Sequence, residues 1–168
     1  MPVPSVKRSA GTLVLGLGNP ILSDDGLGIR VAREVEKRVE APEVTVVQSS
    51  GGGLNLLDSI SGFQQVIIID AIQTAEEKAG QIRLLEPEDF SLARHLSSPH
   101  QVDLISALEL GRRLELPMPS AVSIVAVEAE DVATFGEELT AEVERAIPEA
   151  VDIVLRELER RRNDTGHC

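Results

Sequence analysis

LVLGLGNPILSDDGLG, residues Leu13 to Gly28, decides the fold. A short apolar run ends in Gly16-Leu17-Gly18-Asn19-Pro20, an acidic pair Asp24-Asp25 follows, and a helical periodicity begins directly after it. The stretch reads as strand, tight loop, two carboxylates, helix. Thr12 to Leu17 is apolar almost without a break, as expected of a strand covered by helices on both faces. Val31, Val35 and Val39 recur every four residues and predict a helix over 26–39, closed by Pro42.

The same alternation continues along the chain. Val44 to Gln48 is a second strand, and Ser49-Ser50-Gly51-Gly52-Gly53 is a loop. Leu54, Leu57 and Ile60 mark a short helix, and Gln65 to Asp70 (QVIIID) is the clearest buried strand. Gly80 to Leu85 is a fourth strand reached without a helical crossover, so it is expected to run antiparallel to the others. Residues 87–97 read as irregular. Ser98-Pro99-His100-Gln101 starts a helix on two signals, capping-box spacing and a proline at the first helical position. Leu104, Ile105, Leu108 and Leu114 form its buried face. Ala121 to Val127 is the fifth strand. Thr140 opens the last helix, with Val143, Ile147, Val151, Val154, Leu155 and Leu158 as its stripe. Pro148 is expected to kink it within the preceding turn, Arg160 to Arg162 favour its C-terminal dipole, and fraying is expected from Asn163. The order predicts one domain over 12–162 with tails at 1–11 and 163–168. Its class is α/β: a three-layer α/β/α sandwich with a five-stranded, mostly parallel sheet and one antiparallel strand. Ligands of such sheets sit at the carboxyl ends of strands. That brings the 18–25 loop, the 51–53 loop and Asp70 to one edge.

Composition narrows the function. The 168 residues hold three Phe, no Trp and no Tyr, so Val, Ile, Leu and Ala must build the core. A net charge of −12 opposes binding to nucleic acid or an anionic membrane surface, since both need a basic face. The lone cysteine, Cys168, is the last residue; it allows no internal disulfide and is a poor nucleophile where nothing holds it. MPVPSVKRSAG lacks the apolar run of a signal peptide, and no stretch reaches the roughly 18 apolar residues of a membrane span. A cytoplasmic protein is expected.

Several residues are candidates for chemistry. Gly16-x-Gly18 lacks the third glycine of a dinucleotide fingerprint, Ile21 standing in its place, and the acids that follow would repel a pyrophosphate. Asp24 and Asp25 read equally well as helix caps. One cap needs one carboxylate, which leaves the other for chemistry. Asp70 ends an apolar run beside the core and must find a partner, a loop amide or a cation. His100, in the first turn of its helix, faces the positive dipole end, which favours the neutral imidazole that binds metals. An exposed helix-start histidine is the plain alternative. His95 and His167 are set aside as loop and tail residues. Carboxylates with an imidazole suit nickel, zinc or manganese.

GLGNPILSDDGLG, the strand ending IIIDA at Asp70-Ala71, and SPHQ at Ser98–Gln101 together resemble the hydrogenase maturation proteases, from Thr12 to about Arg160. The resemblance implies an endopeptidase that removes the C-terminal extension of a NiFe hydrogenase large-subunit precursor after nickel insertion. It implies metal ligation by Asp25, Asp70 and His100, and a phosphorylase/hydrolase-like sandwich fold. It also implies nickel carried by the substrate, with zinc or cadmium as alternative occupants. Asp25, Asp70 and Asp24 are then the candidate catalytic groups, with Asp24 or the free oxygen of Asp25 as general base. Asn19, Gly51, Gly52 and Gly53 are candidate substrate contacts, and a monomer is expected. Gln48-Ser49-Ser50-Gly51 departs from the Asp-Gly-Gly-Thr common in that family. Two other readings stand beside it. A non-catalytic nickel-binding maturation chaperone would use the same ligands. Peptidyl-tRNA hydrolases share GLGNP, but their following Arg-His-Asn segment is absent and tRNA wants a basic surface.

Overall fold

The structure is a computed structural model that describes residues 11–74, 77–92 and 99–166, the side chains of 90–92 and 99–102 excepted. Five strands form one sheet: β1 (Thr12–Leu17), β2 (Val44–Ser49), β3 (Gln65–Ile72), β4 (Ile82–Leu85) and β5 (Ala121–Glu128). Their spatial order is β2-β1-β3-β5-β4. The first three and β5 are parallel, and β4 pairs antiparallel with β5, as the missing crossover requires. Helices α1 (Leu27–Arg38), α2 (Leu54–Ile60), α3 (Pro87–Leu92), α4 (Pro99–Arg113) and α5 (Ala141–Thr165) complete the fold.

The pleat sorts side chains into two cores. Val14, Ile67, Ile69, Val125 and Val127 face α1 and α5, whereas Leu13, Leu15, Ile68, Ile124 and Ala126 face α2 and α4. Both faces are apolar, which explains why β1 and β3 lack alternation. Two glycines let α1 lie unusually close to the sheet. A Cβ on Gly16 would stand 2.3 Å from the Gly28 carbonyl oxygen, and one on Gly28 would stand 2.2 Å from that of Leu17 and 2.4 Å from that of Ile69. The GLG motif is therefore a packing device.

Several boundaries differ from the sequence reading. Residues 87–92, read as irregular, form α3, whose first turn carries Glu88 and Asp89. Leu114 lies beyond α4 and is 57% exposed, so it adds nothing to the buried face that Leu104 and Leu108 form. Leu54, at the first position of α2, is exposed; the buried residues there are Leu56, Leu57 and Ile60. Helix α5 continues through Pro148 and on to Thr165, past the fraying point expected at Asn163. The tail 1–10, His95, His167, Cys168 and the Ser98 cap lie outside the described residues. Among the described residues no helix is long and apolar enough to cross a membrane.

Arg161 also departs from expectation. It is buried, pairing Nε to Glu157 Oε1 at 3.1 Å while Nη1 donates to the Ala121 carbonyl at 3.3 Å. Ser123 Oγ, itself in contact with Arg161 Nη2, donates to the same Glu157 oxygen at 3.0 Å, and Arg160 Nη2 donates to it at 2.6 Å. This polar knot pins α5 to the amino end of β5. Arg160 foremost, with Arg161 and Ser123, holds the Glu157 carboxyl at about 2 against the opposing effect of burial, compared with an ordinary 4.5. A lowered carboxyl pKa adds stability that is complete above pH 4.5 and fades as pH falls towards 2. Urea midpoints measured against pH are expected to fall through that window in the wild type. Glu157→Gln is expected to flatten the fall and to lower the neutral-pH midpoint, since it strips the buried Arg161 of its counter-charge.

Candidate functional site

The carboxyl ends of β1 and β3 are held together by backbone contacts. Gly16 pairs with Ile69 across the two strands. Gly28, one helical turn after Asp25, lies against the carbonyls of Leu17 and Ile69, the residue before Asp70. The chain leaving β1 forms a 3-10 turn, Ser23–Gly26, that carries both acids and packs against β3. Gly18, at φ +146°, lets the Asp25 carbonyl approach: a Cβ there would stand 1.8 Å from that oxygen. Asp25 and Asp70 therefore share one rim of the sandwich.

Neither acid of the pair caps a helix. The 3-10 turn and α1 both begin without a side-chain cap. Asp24 is fully buried, and its two oxygens receive four hydrogen bonds. Oδ2 accepts from Glu130 N at 2.9 Å, Asp131 N at 3.0 Å and Thr140 Oγ1 at 2.8 Å; Oδ1 accepts from Thr140 N at 2.8 Å. The surrounding backbone closes the same seam: Asp24 N donates to Asp131 O, Ser23 N to Gly136 O, and Gly136 N to Ile21 O. Asp24 thus ties the loop after β1 to the segment between β5 and α5. Full burial and four donors give Asp24 a structural role and speak against its candidate role as general base, which needs access to a water.

Asp25 is only partly buried, and its Oδ2 accepts from Asn19 N at 2.9 Å. Asn19 Oδ1 accepts from Ile21 N at 3.2 Å, so this candidate substrate contact shapes the loop through its own side chain. Asp70 is 2% exposed, on the face that α2 and α4 cover.

The glycine loop borders the same rim. Gly51 N donates to Ser49 Oγ at 3.2 Å, and Gly53, at φ +61°, opens α2. Gly52 faces Asp103 of α4: a Cβ there would stand 2.2 Å from Asp103 Oδ2. The first turns of α4 therefore reach the rim, and His100 is one turn before Asp103. The His100 imidazole lies outside the described side chains. Among the described residues no group of three His, Cys, Asp or Glu side chains is arranged to hold a metal. The three-ligand reading thus depends on that imidazole.

Two rim residues escaped the sequence reading. Glu128, buried at the end of β5, accepts from Thr74 N at 2.6 Å and Thr74 Oγ1 at 3.1 Å, closing the exit of β3. Arg83 of β4 pairs with Ala126, which pairs with Asp70, so the three form one row across the sheet. Nothing in the sequence singles out Arg83; only the register shows which residues share its face.

Fold and rim together define a class: an α/β/α sandwich with a mixed five-stranded sheet and carboxylates at the carboxyl ends of its first and third strands. A model of the hydrogenase maturation protease family matches residues 29–157. The chain is 32% identical over 152 residues to the hydrogenase 2 maturation protease of Escherichia coli strain K12, covering 87% of this chain and 89% of that one. The fold is similar to that of the hydrogenase maturating endopeptidase HybD from E. coli, with a TM-score of 0.78 at 29% identity over 89% of this chain and 93% of that one. It is also similar to the NiFe hydrogenase maturation protease HybD from Thermococcus kodakarensis, with a TM-score of 0.68 at 25% identity over 88% and 99% of the two chains. The protein belongs to the hydrogenase maturation protease family. The match to the family model contains Asp70 and His100 and begins just after Asp25.

Proposed function

We propose that this protein is a cytoplasmic, monomeric endopeptidase that removes the C-terminal extension from the nickel-loaded large-subunit precursor of a NiFe hydrogenase. The observation that carries the reading is the meeting of the Asp25 turn and Asp70 at one rim, in a chain of this family. Nickel is here part of the substrate. Asp25, Asp70 and His100 receive it, a donor set of two carboxylates and an imidazole that suits a borderline divalent ion; zinc or cadmium would compete for the same donors. Capture of the metal aligns the neighbouring peptide bond, and alignment by itself accounts for a large part of such a barrier. With Asp24 committed to the fold, the general base is the oxygen of Asp25 that does not hold the metal. It takes the proton of the attacking water, and the leaving amine takes a proton as the bond breaks.

The test is to incubate the protein with large-subunit precursors, with and without nickel, and to weigh the products. Loss of a C-terminal peptide only from nickel-loaded precursor is expected. Cleavage regardless of nickel defeats the metal-guided mechanism. An unchanged mass in every mixture defeats the protease reading and leaves a nickel-binding chaperone.

A further inference from the structure

We propose that Arg83 is a substrate-binding residue of this rim and that its guanidinium takes a carboxylate of the precursor's C-terminal extension. The proposal rests on the protease reading and adds a contact to it. Asp70, Ala126 and Arg83 lie side by side on β3, β5 and β4, in one row and hence on one face of the sheet. Adjacent strands are about 4.8 Å apart, so the Asp70 and Arg83 backbones stand about 10 Å apart. Only a methyl group, that of Ala126, separates them, and an arginine stem is long enough to lie across it.

The head group is what needs a ligand. Arg83 is partly buried, and its Nη2 is enclosed without a hydrogen-bond partner. No described carboxylate forms an ion pair with it, in a chain whose net charge is −12 and whose buried arginine among the described residues, Arg161, is fully engaged. An enclosed guanidinium N–H with no acceptor is costly and rare. A guanidinium is also the side chain best shaped to grip a carboxylate through two N–H donors. A polypeptide bound at the Asp70 end of this row would bring its neighbouring residues within reach of the Arg83 head group. The anion has two possible sources, an acidic side chain of the extension or the free terminal carboxylate.

The experiment measures cleavage kinetics of nickel-loaded precursor by wild type, Arg83→Gln and Arg83→Lys, with thermal melting of each. It repeats them on precursors whose extension has each Asp or Glu changed to its amide, and on one with an amidated terminus. Arg83→Gln is expected to raise KM at least about tenfold, the loss of a charge-assisted contact, with kcat unchanged and a melting temperature no lower than that of the wild type. Arg83→Lys should recover part of the loss. One neutralised precursor should show the same rise with wild type and no further rise with Arg83→Gln; which precursor it is names the source of the carboxylate. An unchanged KM in Arg83→Gln overturns the assignment, as does an additional rise for every neutralised precursor. A wild type that cleaves nothing overturns the protease reading, and this assignment with it, whereas an active wild type beside an equally active Arg83→Gln overturns the assignment alone.

Discussion

Asp24→Ala is expected to destabilise the protein by about 3–5 kcal/mol, the range for breaking a fully buried and fully bonded charged group. The substitution leaves Glu130 N, Asp131 N and Thr140 N facing an empty space that was a carboxylate. Each was satisfied by a charge-assisted bond. In a chain of this size the loss corresponds to a fall in melting temperature of roughly 10 °C or more. Asp24→Asn should fall between, since an amide keeps one acceptor oxygen but turns the other into a donor facing donors. The decisive comparison is with the neighbouring residue. Asp25→Ala removes one hydrogen bond at a partly exposed position and should move the melting temperature by only a few degrees. Equal and small shifts for the two variants would show that the Asp24 seam contributes nothing to stability.

Processing activity is expected to rank the same two residues the other way. Asp25→Ala, Asp70→Ala and His100→Ala should each slow cleavage of nickel-loaded precursor by at least about a hundredfold, because misplacing a reacting group by about 1 Å already costs that much. Combining two of them should cost little more than one, since groups that hold a single ion act as a unit. The measurement is product formation followed by mass, with melting curves to show that each variant is folded. Full activity in all three variants would end the metal-site reading. Asp24→Asn, assayed below its melting transition, should keep most of its activity. That result would separate a residue that supports the loop from one that meets the substrate.

The sequence made the architecture legible because apolar pattern and strand direction are local or nearly local properties. QVIIID read as the clearest buried strand, and the short connection before β4 pointed to an antiparallel partner. The last turn of α5 was harder. Glu157 and Arg161 look like surface charges on a helix end, and only the packing of α5 against β5 makes them a buried pair. Residues 87–92 gave no periodicity long enough to read, so their helix appeared only in three dimensions.

By itself, the sequence determined the order of elements, the mixed sheet and the edge at which the loops gather, since each follows from the pattern of neighbours along the chain. It also offered Asp25, Asp70 and His100 as a set, through the motifs that carry the resemblance. Only the tertiary structure distinguishes the surroundings of Asp24 from those of Asp25, which are adjacent, identical in chemistry and equally placed before a helix. The donors that claim Asp24 come from Glu130, Asp131 and Thr140, more than a hundred positions away. A carboxylate's role is set by the groups that surround it in space, and no local pattern encodes partners that distant. The same holds for Arg83, which is ordinary in the sequence and becomes a neighbour of Asp70 only through strand register.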